Sequence, residues 1–173
     1  MVMRYISEPF VEELLETPYL GIAIQATLLE WGKVIELAEE LVDWLEKRGV
    51  EPAGPLFYRY WIIGNEKEAY HLEVGIPVER PIAGDEQILS SMIPGGSYVT
   101  AVHQGHPDHL AKSLNELEIW AKKEELELDK RWEGEIEIWN GRFESYLTNP
   151  DTEPDPNKWE IRISYLLLRD DAA

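Results

Sequence analysis

The sequence predicts an α+β fold in which a strand-helix-strand-strand module is used twice, its helices covering one face of an antiparallel sheet. Three observations predict it. The landmarks come in duplicate: Trp44-Leu-Glu-Lys-Arg-Gly-Val-Glu, Phe57-Tyr-Arg-Tyr60 and Tyr70-His-Leu-Glu-Val-Gly-Ile-Pro-Val78 are answered by Trp120-Ala-Lys-Lys-Glu-Glu-Leu-Glu, Phe143-Glu-Ser-Tyr146 and Trp159-Glu-Ile-Arg-Ile-Ser-Tyr-Leu-Leu167. Each half holds one segment of helical period. Each half also ends in a run that alternates apolar and polar residues, as a half-buried strand does. Two units this small cannot each bury a face alone, so the copies should pack side by side and leave a groove at their junction.

The elements follow in order. Residues 18–27 read as a strand leading into the first helix. Val34, Leu37, Ala38, Leu41 and Leu45 then mark one helical face, with Glu36, Glu39, Glu40 and Asp43 opposite, so helix one spans about 31–48. Lys47 and Arg48 suit its negative end, and Gly49 closes it. Phe57 opens the next strand. In residues 69–78, Leu72, Val74, Ile76 and Val78 take one side and His71, Glu73 and Gly75 the other. Pro81, Gly84, Pro94 and Gly95-Gly96 punctuate a linker over 80–94, which joins repeats of about 15–79 and 95–168 within one domain covering 1–173. The second copy has a strand at 96–104 and a helix that opens at Pro107-Asp108 and runs through Leu110, Leu114, Leu117 and Ala121 to Lys122-Lys123. Its last strand, 157–167, sets Trp159, Ile161, Ile163, Tyr165 and Leu167 against Glu160, Arg162 and Ser164, so Glu73 and Arg162 occupy matching places. About ten extra residues separate Trp120 from Phe143, and the alternating Glu135-Ile-Glu-Ile-Trp139 among them suggests an added strand.

Composition narrows the function. In 173 residues, 44% apolar content with seven Trp and eight Tyr suffices for a core. No apolar run is long enough for a membrane span and no signal core follows Met1, so the expected address is the cytoplasm. The absence of cysteine removes disulfides, thiolate metal sites and thiol nucleophiles. A net charge of −18 repels phosphate backbones and anionic lipid heads, so neither direct nucleic acid binding nor membrane binding is expected. The repeats use the whole chain and leave too few residues before Tyr19 for a DNA-binding segment. Regulation would then need a protein partner, and the chain itself is either a monomer or a homodimer.

Several segments carry a resemblance: Trp44-Leu-Glu-Lys-Arg-Gly-Val-Glu-Pro-Ala-Gly-Pro55, Glu73-Val-Gly-Ile-Pro-Val78, Ile93-Pro-Gly-Gly96, Val102-His-Gln-Gly105, Tyr146-Leu-Thr-Asn-Pro150 and Asp155-Pro-Asn-Lys-Trp159. In this order and spacing the chain resembles the GyrI-like small-molecule-binding family, the AraC-type effector-binding domain that also forms the drug-binding part of BmrR-like regulators. The resemblance implies two modules related by a pseudo-twofold axis, a curved antiparallel sheet, and an aromatic pocket between the modules for amphipathic, often cationic, aromatic compounds. It also implies an acidic residue in the last strand, within Trp-x-Thr-Glu-Ile. Here that segment reads Trp159-Glu-Ile-Arg-Ile163, with Arg162 in place of the acid.

The ligand-binding candidates are Tyr58, Tyr60, Glu73, Tyr98, His103, Trp139, Glu144, Tyr146 and Arg162. The rings offer flat polarizable surface for stacking, although aromatic residues in strands also serve as core. Alternation puts Tyr58 and Tyr60 on one face and Phe57 and Trp61 on the other. Glu73 reads as a ligand contact, a solvated strand residue or the ion-pair partner of Arg162. Glu144 reads as a second pocket acid or an exposed carboxylate. His103, His106 and His109 are spaced as His-x-x-His-x-x-His, but Gly105 and Pro107 break the chain between them and no metal site or cofactor is expected. The first expectation is therefore a stand-alone module for amphipathic aromatic small molecules, cationic ones among them, of the multidrug-binding or effector-sensing type. No residue is firmly catalytic. The alternatives are a hydrolase of cyclopropane-containing alkylators, as reported for some GyrI-like proteins, with Glu73 or Glu144 activating water, and an acidic interaction module like the gyrase-inhibitory relatives.

Overall fold

The computed structural model describes residues 5–169. The first repeat comprises β1 (Phe10–Leu14), β2 (Thr17–Ala26), α1 (Trp31–Lys47), β3 (Phe57–Ile62) and β4 (Tyr70–Pro77). The second comprises β5 (Leu89–Ile93), β6 (Gly96–Gln104), α2 (Leu110–Lys123), a hairpin of β7 (Lys130–Glu133) and β8 (Ile136–Trp139), β9 (Arg142–Tyr146) and β10 (Glu160–Leu166). The helices and long strands fall where periodicity places them. The ten-residue excess of the second copy is the β7–β8 hairpin, which joins the sheet through Ile138 opposite Ile62.

All pairings in the sheet are antiparallel, in the order β1-β6-β10-β9-β3-β4-β2-β5. Its register expresses the duplication. Across the central β3–β9 seam Phe57 faces Ser145, Tyr58 faces Glu144 and Arg59 faces Phe143. A twofold axis there relates Phe57 to Phe143, Tyr58 to Glu144 and Tyr60 to Tyr146. Further out, Glu73 sits opposite Arg59 and Arg162 opposite Ser145, which makes Glu73 and Arg162 equivalent as the repeats imply.

The outermost strands depart from the sequence reading. The segment 80–94, read as linker, contains β5, and a further strand, β1, precedes residue 15. Each of these strands pairs with the other repeat: β1 lies on β6 and β5 on β2. The exchange ties the two modules together at both ends of the sheet.

Both helices lie on one side of the curled sheet. Val34, Leu41 and Leu45 of α1 pack on Leu20, Ile22, Leu72, Val74 and Ile76, while Leu117 and Ala121 of α2 pack on Val99, Ala101, Ile163 and Tyr165. The other side curls over its own cluster of Tyr19, Phe57, Tyr98, Phe143 and Leu166, which Leu14, Leu89 and Ile93 flank from the edges. Gly75 makes this possible, since a Cβ there would lie 2.5 Å from the Phe57 ring. Among the described residues no helix is long and apolar enough to cross a membrane.

Candidate functional site

Alternation along β3 and β9 aims Tyr58, Tyr60, Arg142, Glu144 and Tyr146 at the helix side of the seam. Glu144 is 3% exposed. The Tyr60 hydroxyl donates to its Oε1 at 3.0 Å. Burial pushes the Glu144 carboxyl above its usual range, against the opposing pull of the Arg142 guanidinium and of the hydroxyls of Tyr60 and Tyr146. In return, burial first and the carboxylate second push Tyr58 up to about 12.

The rings form a continuous lining. Tyr58 meets Tyr146 edge-on at 5.0 Å, and the Trp31 indole, on the first residue of α1, stacks on Tyr60 at 6.4 Å and stands edge-on to Tyr58 and Tyr70. The groove expected at this junction is thus occupied by the chain's own side chains, with Trp31 as its cover. Next to it the Arg142 guanidinium lies over Trp139 at 4.8 Å, Tyr165 at 5.2 Å and Tyr60 at 5.9 Å.

The remaining candidates lie elsewhere. Glu73 is on the inner face of the curl, where its carboxylate accepts hydrogen bonds from the Tyr19 hydroxyl at 2.5 Å and the Trp61 indole at 2.6 Å. Arg59 donates to the same Tyr19 hydroxyl at 3.0 Å and stacks on Trp61 at 4.0 Å. Arg162 is exposed and separated from Glu73 by β9 and β3, three strand spacings or about 14 Å. The considered Glu73–Arg162 ion pair is therefore corrected: β4 and β10 lie on opposite sides of the β9–β3 seam. An open depression of roughly 570 Å³ beside Glu73, lined also by Gln25, Trp61 and His71, lies at the mouth of the curl and not at the seam.

Tyr98 belongs to the inner cluster, with its hydroxyl on the Pro94 carbonyl at 2.6 Å. Trp139 is buried beneath Arg142. His103, 0% exposed, ties β6 to α2 through the Ser113 hydroxyl at 2.7 Å and the His106 carbonyl at 3.2 Å. The other two imidazoles are engaged separately: His106 accepts from the Asp108 amide, and His109 stacks on Tyr5. The sequence reading did not single out Trp31, Tyr70 or Arg142 for the site. Arg142 was within reach of it, because a residue two before Glu144 in a strand shares its face.

The curled antiparallel sheet with both helices on one side is the fold of a small-molecule binding domain. Within that class the chain belongs to the GyrI-like family: the GyrI-like small molecule binding domain matches residues 7–166. No curated protein sequence matches it. Among solved structures it is similar to the EcmrR C-terminal domain, with a TM-score of 0.73 and 17% identity over 94% of this chain and 98% of that one. Against EcmrR in its DNA complex the TM-score is 0.76 at 16% identity, and 96% of this chain spans 59% of that longer one. A hydrolase from Listeria innocua gives 0.60 at 15% identity, covering 93% of this chain and 92% of that one. SAV2435 bound to tetraphenylphosphonium gives 0.58 at 9% identity, covering 94% of each. Identities this low establish a shared fold.

Proposed function

We propose that the chain captures amphipathic aromatic small molecules on the helix side of the β3–β9 seam. The ligand takes the place of Trp31, stacks on Tyr58, Tyr60 and Tyr146, and directs its polar group to Glu144. The observation that carries this reading is the Glu144 carboxylate, buried among tyrosines on the twofold axis, where ionising it works against burial. SAV2435, similar in fold, has been solved with a lipophilic cation carrying four phenyl rings, and a ligand of that type matches a floor made of rings. Similarity to the C-terminal domain of EcmrR supports an effector-sensing use.

Titration with an uncharged aromatic probe, triphenylmethanol, and a cationic one, tetraphenylphosphonium, tests it, with tryptophan fluorescence reporting displacement of Trp31. Saturable binding of at least one probe is expected, weakened tenfold or more by Glu144→Leu. The absence of saturable binding, or binding indifferent to Glu144, would overturn the reading.

A hydrolytic use of the same site draws on the same acid, because a carboxyl raised by burial is a better proton acceptor than one in water. A time course separates the two uses. A binder returns its ligand intact, whereas a hydrolase yields product with turnover that Glu144→Gln abolishes.

A further inference from the structure

Arg142 is 8% exposed, and its Nε is buried without a hydrogen-bond partner. Its guanidinium sits within a cage made by Trp139, Tyr165 and Tyr60, and the Tyr60 hydroxyl holds Glu144. A cation over several rings beside a carboxylate is the arrangement an aromatic site offers to a cationic ligand. Here a side chain of the protein already fills it.

The duplication supplies an internal control. By register and by alignment of Trp44 with Trp120, the first repeat places Leu56, Val42 and Ile76 where the second has Arg142, Glu118 and Tyr165. The same backbone unit thus folds with apolar residues at these positions, so the charge on Arg142 is not a requirement of the module. Arg142 shares its ion-pair partners with Lys130 of the β7–β8 hairpin: Lys130 reaches Glu118 at 3.3 Å and Glu137 at 3.2 Å, and Arg142 pairs with each at 3.9 Å.

We infer that Arg142 is a specificity-determining residue: a built-in cation that answers the charge of Glu144 and turns the site toward uncharged aromatic molecules bearing a hydrogen-bond donor, and away from permanent lipophilic cations. The inference rests on the binding site proposed above. A neutral donor gains the Glu144 carboxylate as acceptor without meeting a like charge. A permanent cation meets Arg142 at short range away from bulk water, where repulsion between like charges is weakly screened.

The test compares dissociation constants for triphenylmethanol and tetraphenylphosphonium on the whole chain. The wild type is expected to prefer the neutral probe. Arg142→Met should shift the ratio of the two constants tenfold or more toward the cation, and Arg142→Lys, which keeps the charge, should move it back toward the wild-type value. Should Arg142→Met fold poorly, the pair Arg142→Leu with Glu118→Val copies residues the first repeat already uses and should shift the ratio the same way. A ratio unmoved by loss of the charge, with Glu144-dependent binding of triphenylmethanol intact, overturns this inference alone. Failure of both probes to bind either protein overturns the site and the inference together.

Discussion

Glu144 holds in the second repeat the place that Tyr58 holds in the first, and the two are direct cross-strand partners on the twofold axis of the sheet. Two glutamates there would set like charges against each other in a buried seam, and two tyrosines would leave it uncharged. The divergence puts a single carboxylate at the centre, hydrogen-bonded to Tyr60 from the repeat across the seam.

Stability should record that carboxylate. Burial raises the Glu144 carboxyl above its ordinary value of 4.5, so between that value and the folded one the native chain holds a proton that the unfolded chain has released. Native stability therefore falls as pH rises through this window, by at most about 1.4 kcal/mol per pH unit. Glu144→Gln removes this component. Urea denaturation of both proteins from about pH 4 to about pH 7 should show the variant gaining on the wild type as pH rises. Parallel profiles would count against it.

Arg59 should be the most sensitive charged residue on the inner face. It donates to the Tyr19 hydroxyl, to the Met92 carbonyl at 3.1 Å and to the Asn140 carbonyl at 2.9 Å, while 3% exposed. Arg59→Met strands these acceptors inside the curl and removes the guanidinium from Trp61. A loss of about 3–5 kcal/mol in denaturant unfolding is expected, as for several charge-assisted hydrogen bonds lost with their acceptors left buried. Arg59→Lys should recover only part of it, because an ammonium cannot reproduce a planar fork of donors. A loss under about 1 kcal/mol would show that water replaces the guanidinium contacts.

What the sequence made legible follows its periodicities. The helices and the four long strands each carry enough repeats of 3.6 or 2 to declare themselves; alternation puts Tyr58 with Tyr60, and the β3–β9 register then brings Glu144 and Tyr146 to the same face. β5 was hidden because Pro81, Gly84, Pro94 and Gly95 frame it as a loop and because its partner, β2, belongs to the other repeat. β1 was hidden for the same second reason. Equivalence does not settle contact: Tyr58 and Glu144 match each other and meet on the axis, whereas Glu73 and Arg162, one reading of which was an ion pair, lie a strand further out on either side and do not meet. Arg142 went unseen because a basic residue at a strand start ordinarily reads as solvated. Only the packing of Trp139, Tyr165 and α2 shows that it is buried.

His103 predicts an acid-sensitive joint between β6 and α2. Burial lowers its pKa from 6.5, so below that value the unfolded chain binds a proton the native imidazole resists. Stability contributed by His103 is present above about pH 6.5 and is lost as pH falls toward the folded value. The geometry explains the resistance: Nε2–H donates to the His106 carbonyl and Nδ1 accepts from Ser113, so a second ring proton would face another donor. Ser113→Ala should cost about 1–3 kcal/mol at neutral pH by leaving Nδ1 unsatisfied. His103→Asn should flatten the acid limb of the stability profile. An unchanged limb would place the sensitivity in another group.

The inner face should tolerate no side chain at Gly75. An added Cβ would lie 2.5 Å from Cζ and 2.8 Å from Cε2 of Phe57, a ring that is 1% exposed and wedged edge-to-face between Tyr19 at 5.0 Å and Phe143 at 5.5 Å. Gly75→Ala must therefore push Phe57 into its neighbours, at about 1–3 kcal/mol of overpacking. The equivalent pair in the second repeat is Ser164 beside Phe143, so the fold accommodates a small side chain next to that ring where its surroundings leave room. The clash, and not the strand, is then the source of the loss. If so, Gly75→Ala combined with Phe57→Leu should be less destabilised than the sum of the single variants, with a coupling of about 1 kcal/mol in a double-mutant cycle. Strict additivity would locate the damage in the backbone of β4 instead.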